Sequence, residues 1–341
     1  MKKILLSAML LLTSGLVSQT AVAATDDVVN IYSYRQPFLI DPILASFTQQ
    51  TGIKTKVVFA KKGLLERLKR EGKFSPADVV LTADFNLLLQ LTDAELTQSF
   101  SSKVIDENVP SAFMDPLHQW IALTKRVRNI YSSKERMGDL NQVSYEDLAS
   151  AQYKGKLCTR SGKHPYNIAL VSSMIAHHGQ AQTKQWLLKV KANLARKPQG
   201  NDRAQVKAIK EGLCDLALGN SYYYGKMLQD EKQKVWAEAV NINFPNQKNR
   251  GSHINVSGIV MAKHAPHKVD ALKLINYLTS AEAQQLYASL NMEYPVKVGV
   301  KLDPLVASWG EFKEDSVAIA EVAGFRKQAL ALLDETRFDL N

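Results

Sequence analysis

The sequence is poor in the groups that carry covalent and redox chemistry. It holds two cysteines and seven histidines among 341 residues. No Cys-x-x-Cys, His-Glu-x-x-His, Gly-x-Ser-x-Gly, phosphate-loop or Gly-x-Gly-x-x-Gly pattern occurs. Those absences argue against the common thiol, zinc-hydrolase, serine-hydrolase and nucleotide-binding chemistries. Past the N-terminus there is no apolar run of membrane-spanning length. The formal charge is +10, yet lysine and arginine are scattered among acids, never five in a row and without interleaved aromatics. That pattern reads as solvated faces with some steering of anionic ligands, rather than as a nucleic-acid or membrane-surface binder.

What is present begins with a secretion signal. Lys2 and Lys3 precede an apolar stretch from Ile4 to Val17, and Ala21-Val22-Ala23 offers a cleavage site, so residues 1–24 are expected to be removed. No cysteine follows for lipid attachment. A soluble periplasmic product of a Gram-negative cell is therefore expected. Two cysteines in an exported chain, Cys158 and Cys214, predict one disulfide.

The patterning predicts an α/β protein with mixed, mainly parallel sheets flanked by helices. Val28–Tyr32, Lys54–Phe59 and Ala77–Leu81 read as strands. Between them lie a helix with Asp41 as N-cap and Pro42 in its first position, and a short amphipathic helix over Leu64–Arg70. A second series runs through the strand Gly155–Cys158, helices over Asn167–Ala176, Lys184–Leu194 and Gln205–Glu211, and the strand Cys214–Leu218. Trp120–Val127 leaves the first unit and His253–Met261 returns to it. About 315 mature residues suit two lobes better than one core. The expected division is 25–125 with 253–302 as the first lobe and 126–252 as the second, with helices in 303–341 near their junction.

Tyr222-Tyr223-Tyr224 sits where the strand ending near Leu218 passes through Gly219-Asn220-Ser221 into a helix. At a helix start neighbouring side chains are only about 100° apart, so Tyr222 and Tyr223 are able to converge on one small ion. The loop Arg160–Asn167 occupies the equivalent end of the other strand and brings Tyr166 to the same edge. The plainer reading of such tyrosines is aromatic packing with satisfied hydroxyls. Three phenol oxygens at one sheet edge instead suit a hard trivalent cation, since oxygen donors match hard ions and tyrosinate is an iron ligand. His177-His178, just before Gly179, read as partners of a helix C-terminus.

Several ordered motifs resemble the periplasmic ferric-ion-binding proteins, or bacterial transferrins, the solute-binding subunits of ABC iron importers. They are Tyr32-Ser-Tyr-Arg35, Cys158-Thr-Arg-Ser-Gly162 through Tyr166-Asn167, Gln199–Gln205, Asn220-Ser-Tyr-Tyr223, Phe244-Pro-Asn246, Asn255–Gly258 and Glu293-Tyr-Pro-Val296. The resemblance implies a type II-like two-lobed binding protein with no catalytic activity. It would hold Fe³⁺ through Tyr166, Tyr222 and Tyr223 and act as a monomer that docks on an ABC permease. Many relatives carry a His after the Arg of the first loop, where this chain has Gln36 and Pro37. The resemblance implies that the open coordination positions take a synergistic anion such as carbonate, or water, with Arg35 as the anion's partner and Gln36, Arg203, Arg160 and Asn220 around it. The rival cargoes are another anion, a ferric chelate or a polyamine. A tyrosinate-iron enzyme is a more distant alternative.

Overall fold

The computed structural model describes residues 27–140 and 142–340. The expected signal segment, residues 1–24, lies outside them. Among the described residues ten strands make up the sheet system: β1 (Val28–Ser33), β2 (Lys54–Phe59), β3 (Val79–Thr82), β4 (Thr97–Gln98), β5 (Ile121–Ser133), β6 (Leu157–Cys158), β7 (Leu216–Asn220), β8 (Val240–Asn243), β9 (Ile254–Ala262) and β10 (Tyr294–Pro295). Their order is β2-β1-β3-β9-β5-β7-β6, with β4 on β9 and both β8 and β10 on β5. β1 runs parallel to β2 and β3, and β6 runs parallel to β7. β9 is antiparallel to β3 and β5, and β5 is antiparallel to β7. The sheet is therefore mixed. Its parallel parts are the βαβ units that the alternation predicts, and its antiparallel parts are strands that cross between lobes.

β5 makes the first crossing. Ile121–Val127 pairs with β9, and from Arg128 onward the same strand pairs with β7 and β8. The return passes through His253, whose carbonyl accepts from the Arg128 amide at 3.0 Å. One lobe packs a core that includes Ile31, Phe47, Leu88, Ile259 and Leu274. The other packs Leu157, Leu170, Leu187, Leu218 and Leu332. In the C-terminal segment the helix Ile319–Gly324 touches both the first-lobe helix Phe85–Asp93 and the second-lobe helix Pro165–Ala192. Gly258 on β9 shows how close the strands come there. A Cβ at this position would lie 2.5 Å from the Ile121 carbonyl oxygen.

Two local readings change. The first helix begins at Pro37 rather than Pro42, with Gln36 in the N-cap position, and Pro42 lies inside it. Both prolines suit a first helical position, where a missing N–H costs nothing. The earlier one takes it, and Pro42 leaves the Phe38 carbonyl without its helical donor. The helix Pro165–Ala192 breaks at Gly179 (φ 74°, ψ 167°), so His177 and His178 do stand at a helical end, but their rings do not cap it. They meet carboxylates, His177 with Asp315 at 2.9 Å and His178 with Glu146 at 2.7 Å, while Arg250 bridges the same two acids at 3.0 and 3.1 Å.

Cys158 and Cys214 form a disulfide with Cα atoms 5.9 Å apart, closing a loop of 56 positions. It staples the start of β7 to β6 beneath the tyrosines. Reduction is expected to lower unfolding free energy by about 4 kcal/mol in the chain-entropy account. Urea midpoints with and without reductant measure this, and coincident curves would refute it.

Candidate metal-binding cleft

The local sequence places the tyrosines. β7 ends at Asn220, and the chain turns directly into the helix Ser221–Leu228 with Asn220 in the N-cap position. Tyr222 and Tyr223 thus occupy the first turn. Tyr166 is the second residue of the helix Pro165–Ala192. Pro165 takes its first position, and His164 Nδ1 accepts from the Tyr166 amide at 3.3 Å. Both helices direct their N-termini, with free N–H groups and a positive dipole end, at one cavity. The Tyr166 and Tyr222 hydroxyl oxygens are 3.4 Å apart, and the Tyr222 and Tyr223 rings lie 4.2 Å apart, centroid to centroid. All three line a cavity of about 110 Å³ between the lobes. Tyr224 points elsewhere, against Tyr131 and Trp309.

Burial is the main reason the Tyr222 phenol sits well above its usual range, followed by the charges that Tyr166 and Tyr223 would carry. Tyr223 is raised mainly by burial, then by the charges of Tyr166 and Asp202. With no cation beside them, both hydroxyls keep their protons. Among the described residues no three His, Cys, Asp or Glu side chains converge as a metal site. The three phenols are the oxygen donors that converge there, with the Glu293 carboxylate and Gln36 also in the lining.

Behind the tyrosines lies a buried ionic network. Asp202, at 0 % exposure, accepts from Arg128 Nη1 at 2.7 Å, from Arg160 Nη1 at 3.1 Å and from the Asn220 amide at 2.9 Å. Arg128 also donates to Asn220 Oδ1 at 3.1 Å and to Asn167 Oδ1 at 2.7 Å. Asn167 Nδ2 in turn binds the carbonyls of Arg160 and Ser161, both at 3.1 Å. One carboxylate and one guanidinium thus tie together the residues next to Tyr166 and before Tyr222. Burial alone would raise the Asp202 carboxyl, but the two arginines outweigh it and hold it below its usual range. Arg160 also lies 5.3 Å from the Tyr166 ring. Arg160 and Asn220 accordingly stand behind the phenols, not in the cavity lining.

The first lobe supplies Arg35 and Gln36 to the cavity wall, and Arg203 enters from the second, 5.5 Å from the Tyr223 ring. Arg35 differs from the sequence expectation. Both of its terminal nitrogens are bound to Glu293, each at 2.8 Å, so its fork is already filled by a carboxylate. Arg126, in contrast, is a buried guanidinium with donors to spare. Its Nη2 reaches the carbonyls of Ala83 and Val256, but its Nε and Nη1 have no hydrogen-bond partner, and Glu293 stands 4.0 Å away. It lines the cavity 5.6 Å from the Tyr166 ring. Sequence reading missed Arg126 and the role of Glu293. The available signal was Arg126 and Arg128 alternating in a segment that opens with the apolar run Ile121–Leu123, since charged side chains are almost never fully buried unless they have partners or a ligand.

Residues 58–313 match the family described as bacterial extracellular solute-binding protein. Iron uptake protein A1 of Synechocystis is 40% identical over 310 residues, covering 90% of this chain and 86% of its own length. The apo ferric ion-binding protein A of Pasteurella haemolytica superposes with a TM-score of 0.89 at 54% identity, over 92% of this chain and 98% of that one. A Trichodesmium protein in complex with iron and citrate superposes with a TM-score of 0.86 at 36% identity, over 91% and 99% of the two chains. An interlobe cleft, a match over most of the sequence and relatives of this similarity lead to one assignment. The chain belongs to the bacterial extracellular solute-binding protein family, a family of carriers and not of enzymes.

Proposed function

We propose that this protein binds ferric iron in its interlobe cleft, in the periplasm, and delivers it to an ABC permease. The observation that carries the reading is the convergence of the Tyr166, Tyr222 and Tyr223 phenols on one cavity whose nearby carboxylate, Glu293, is already neutralised by Arg35. Three phenolates balance the charge of Fe³⁺, and the ion displaces their protons as it binds. The iron and iron-uptake descriptions of the relatives support the same cargo.

The remaining coordination positions go to an oxyanion such as carbonate. Arg126 is its best partner, since this guanidinium lines the cavity beside Tyr166 and its Nε and Nη1 have no hydrogen-bond partner, with Arg203 and Gln36 nearby. Arg35 serves the anion indirectly by neutralising Glu293, whose free carboxylate would repel it. The lobes pivot at Val127/Arg128 and His253/Ile254, where the chain changes sheets, and closure buries the ion. The positive lining of Arg126, Arg203 and Lys226 also favours a second reading, in which the cargo arrives as an anionic ferric chelate.

A visible absorption titration of iron-stripped protein with ferric citrate, with and without bicarbonate, tests both. An orange-red tyrosinate-to-iron band saturating at one iron per chain and requiring bicarbonate is expected. Saturation without bicarbonate but with retained citrate supports the chelate. A colourless titration sinks the iron and leaves a carrier of another anion or a polyamine.

A further inference from the structure

The sequence pattern reads as solvated faces, but one contiguous stretch, residues 61–74, presents a basic surface with an exposed aromatic. The helix Leu64–Glu71 buries Leu64 and Leu68 in the first-lobe core, which turns Lys69 and Arg70 outward. Lys61 and Lys62 lead into it, and a 3₁₀ turn, Gly72–Phe74, adds Lys73. All five cations are exposed. Against them stands one exposed carboxylate, Glu66. The other acid of the segment, Glu71, is turned inward onto Tyr32, Arg67 and Ser75. Lys61, Lys62, Lys69 and Arg70 have no ion pair with any described residue. β2, the outermost strand in the order, adds Lys54 and Lys56, both exposed.

Phe74 stands in this field at 82% exposure, with Lys73 Nζ 5.1 Å from its ring centroid. The patch is joined to the cleft. The Ala60 amide donates to the Ser33 carbonyl at 3.1 Å, so Lys61 and Lys62 leave β2 at the sheet end where Tyr34–Gln36 leave β1. Tyr34, which lines the cleft cavity, accepts from the Leu65 amide at 2.9 Å.

We propose that residues 61–74 form a surface for anionic lipid headgroups, with Phe74 entering the interfacial layer, that holds the cleft rim of the first lobe toward the bilayer. Unpaired lysines on long flexible stems match a layer of mobile phosphates better than the fixed geometry of a folded partner. A lone exposed aromatic among cations fits the boundary between headgroups and acyl chains. For a carrier that unloads at a membrane protein, such contact confines the search to the membrane plane and presents the cleft. Vesicle binding requires no cargo, so its outcome and that of the iron titration are independent.

The test is co-sedimentation of the purified chain without its signal segment with vesicles of phosphatidylcholine alone or mixed with phosphatidylglycerol. Binding is expected only to the mixed vesicles and is expected to fade as added salt shortens the screening length. Lys69→Glu with Lys73→Glu should weaken it at least about tenfold. Phe74→Ala should weaken it severalfold without altering the salt dependence, and thermal melts should confirm that both variants fold. A matched reversal on the second lobe, Lys210→Glu with Lys232→Glu, should bind like the parent. Absence of binding to the mixed vesicles, or an equal loss in the second-lobe control, would overturn the proposal. So would binding that appears only when an acidic membrane protein is added.

Discussion

Tyr222→Phe is expected to yield a well-folded protein that no longer retains iron against a competing chelator. The ring packs in the junction cluster with Val127, Ile254, Met292 and Tyr294, and phenylalanine preserves that packing. Only the hydroxyl is lost. Its hydrogen-bond contact is the long one to Tyr166 at 3.4 Å, so the stability change should stay within about 1 kcal/mol. Iron affinity is another matter. Changes to groups that merely orient a ligand cost roughly 10–100-fold, and removing a donor oxygen should exceed that. Tyr223→Phe should behave alike, whereas Tyr224→Phe, which alters packing against Tyr131 and Trp309, should retain iron. Chelator competition followed at the tyrosinate band gives the ranking. Undiminished retention by the Tyr222 variant would remove that residue from the site.

Among the substitutions, Asp202→Ala should have the largest effect on stability. It leaves Arg128 and Arg160 without their shared counterion in a fully buried place, and stripping one partner from a buried pair costs about 3–5 kcal/mol. It also frees the Asn220 amide and loosens the bridge through Arg128 to Asn167, so the two tyrosine-bearing helices lose their common anchor. Asp202→Asn keeps an acceptor for the Asn220 amide and should fall between the parent and the alanine variant. Urea unfolding gives the stability and chelator competition gives the site. If the alanine variant shifts unfolding by less than about 1 kcal/mol, the network is not what holds the helices.

The two variants probe different parts of what was legible in advance. Tyr222 and Tyr223 are visible in the sequence because a strand-to-helix junction is a local pattern. The apolar run before Gly219 and the polar turn after it place both side chains in one helical turn, and the same reasoning places Tyr166 after Pro165. Asp202 is invisible as an anchor because its partners sit 74, 42 and 18 positions away, and no period of helix or strand reports on such distances. Glu293, 258 positions from Arg35, is hidden for the same reason. Arg35 was read as an anion partner because a loop arginine shows its donors in the sequence but not the carboxylate that fills them.

The sequence by itself determined the elements that depend on neighbours along the chain: alternating strands and helices, the tyrosine junctions, and the two cysteines available for one bridge. Only the tertiary structure decided which charges meet. It paired Arg35 with Glu293, left Arg126 with donors lacking hydrogen bonds beside the phenols, set Asp202 between two arginines, and left the cations of residues 61–74 exposed while turning Glu71 inward. The physical reason is range. Backbone propensity and hydrophobic period act over a few residues, whereas the energy of a buried charge depends on groups that only the completed fold brings within hydrogen-bonding distance.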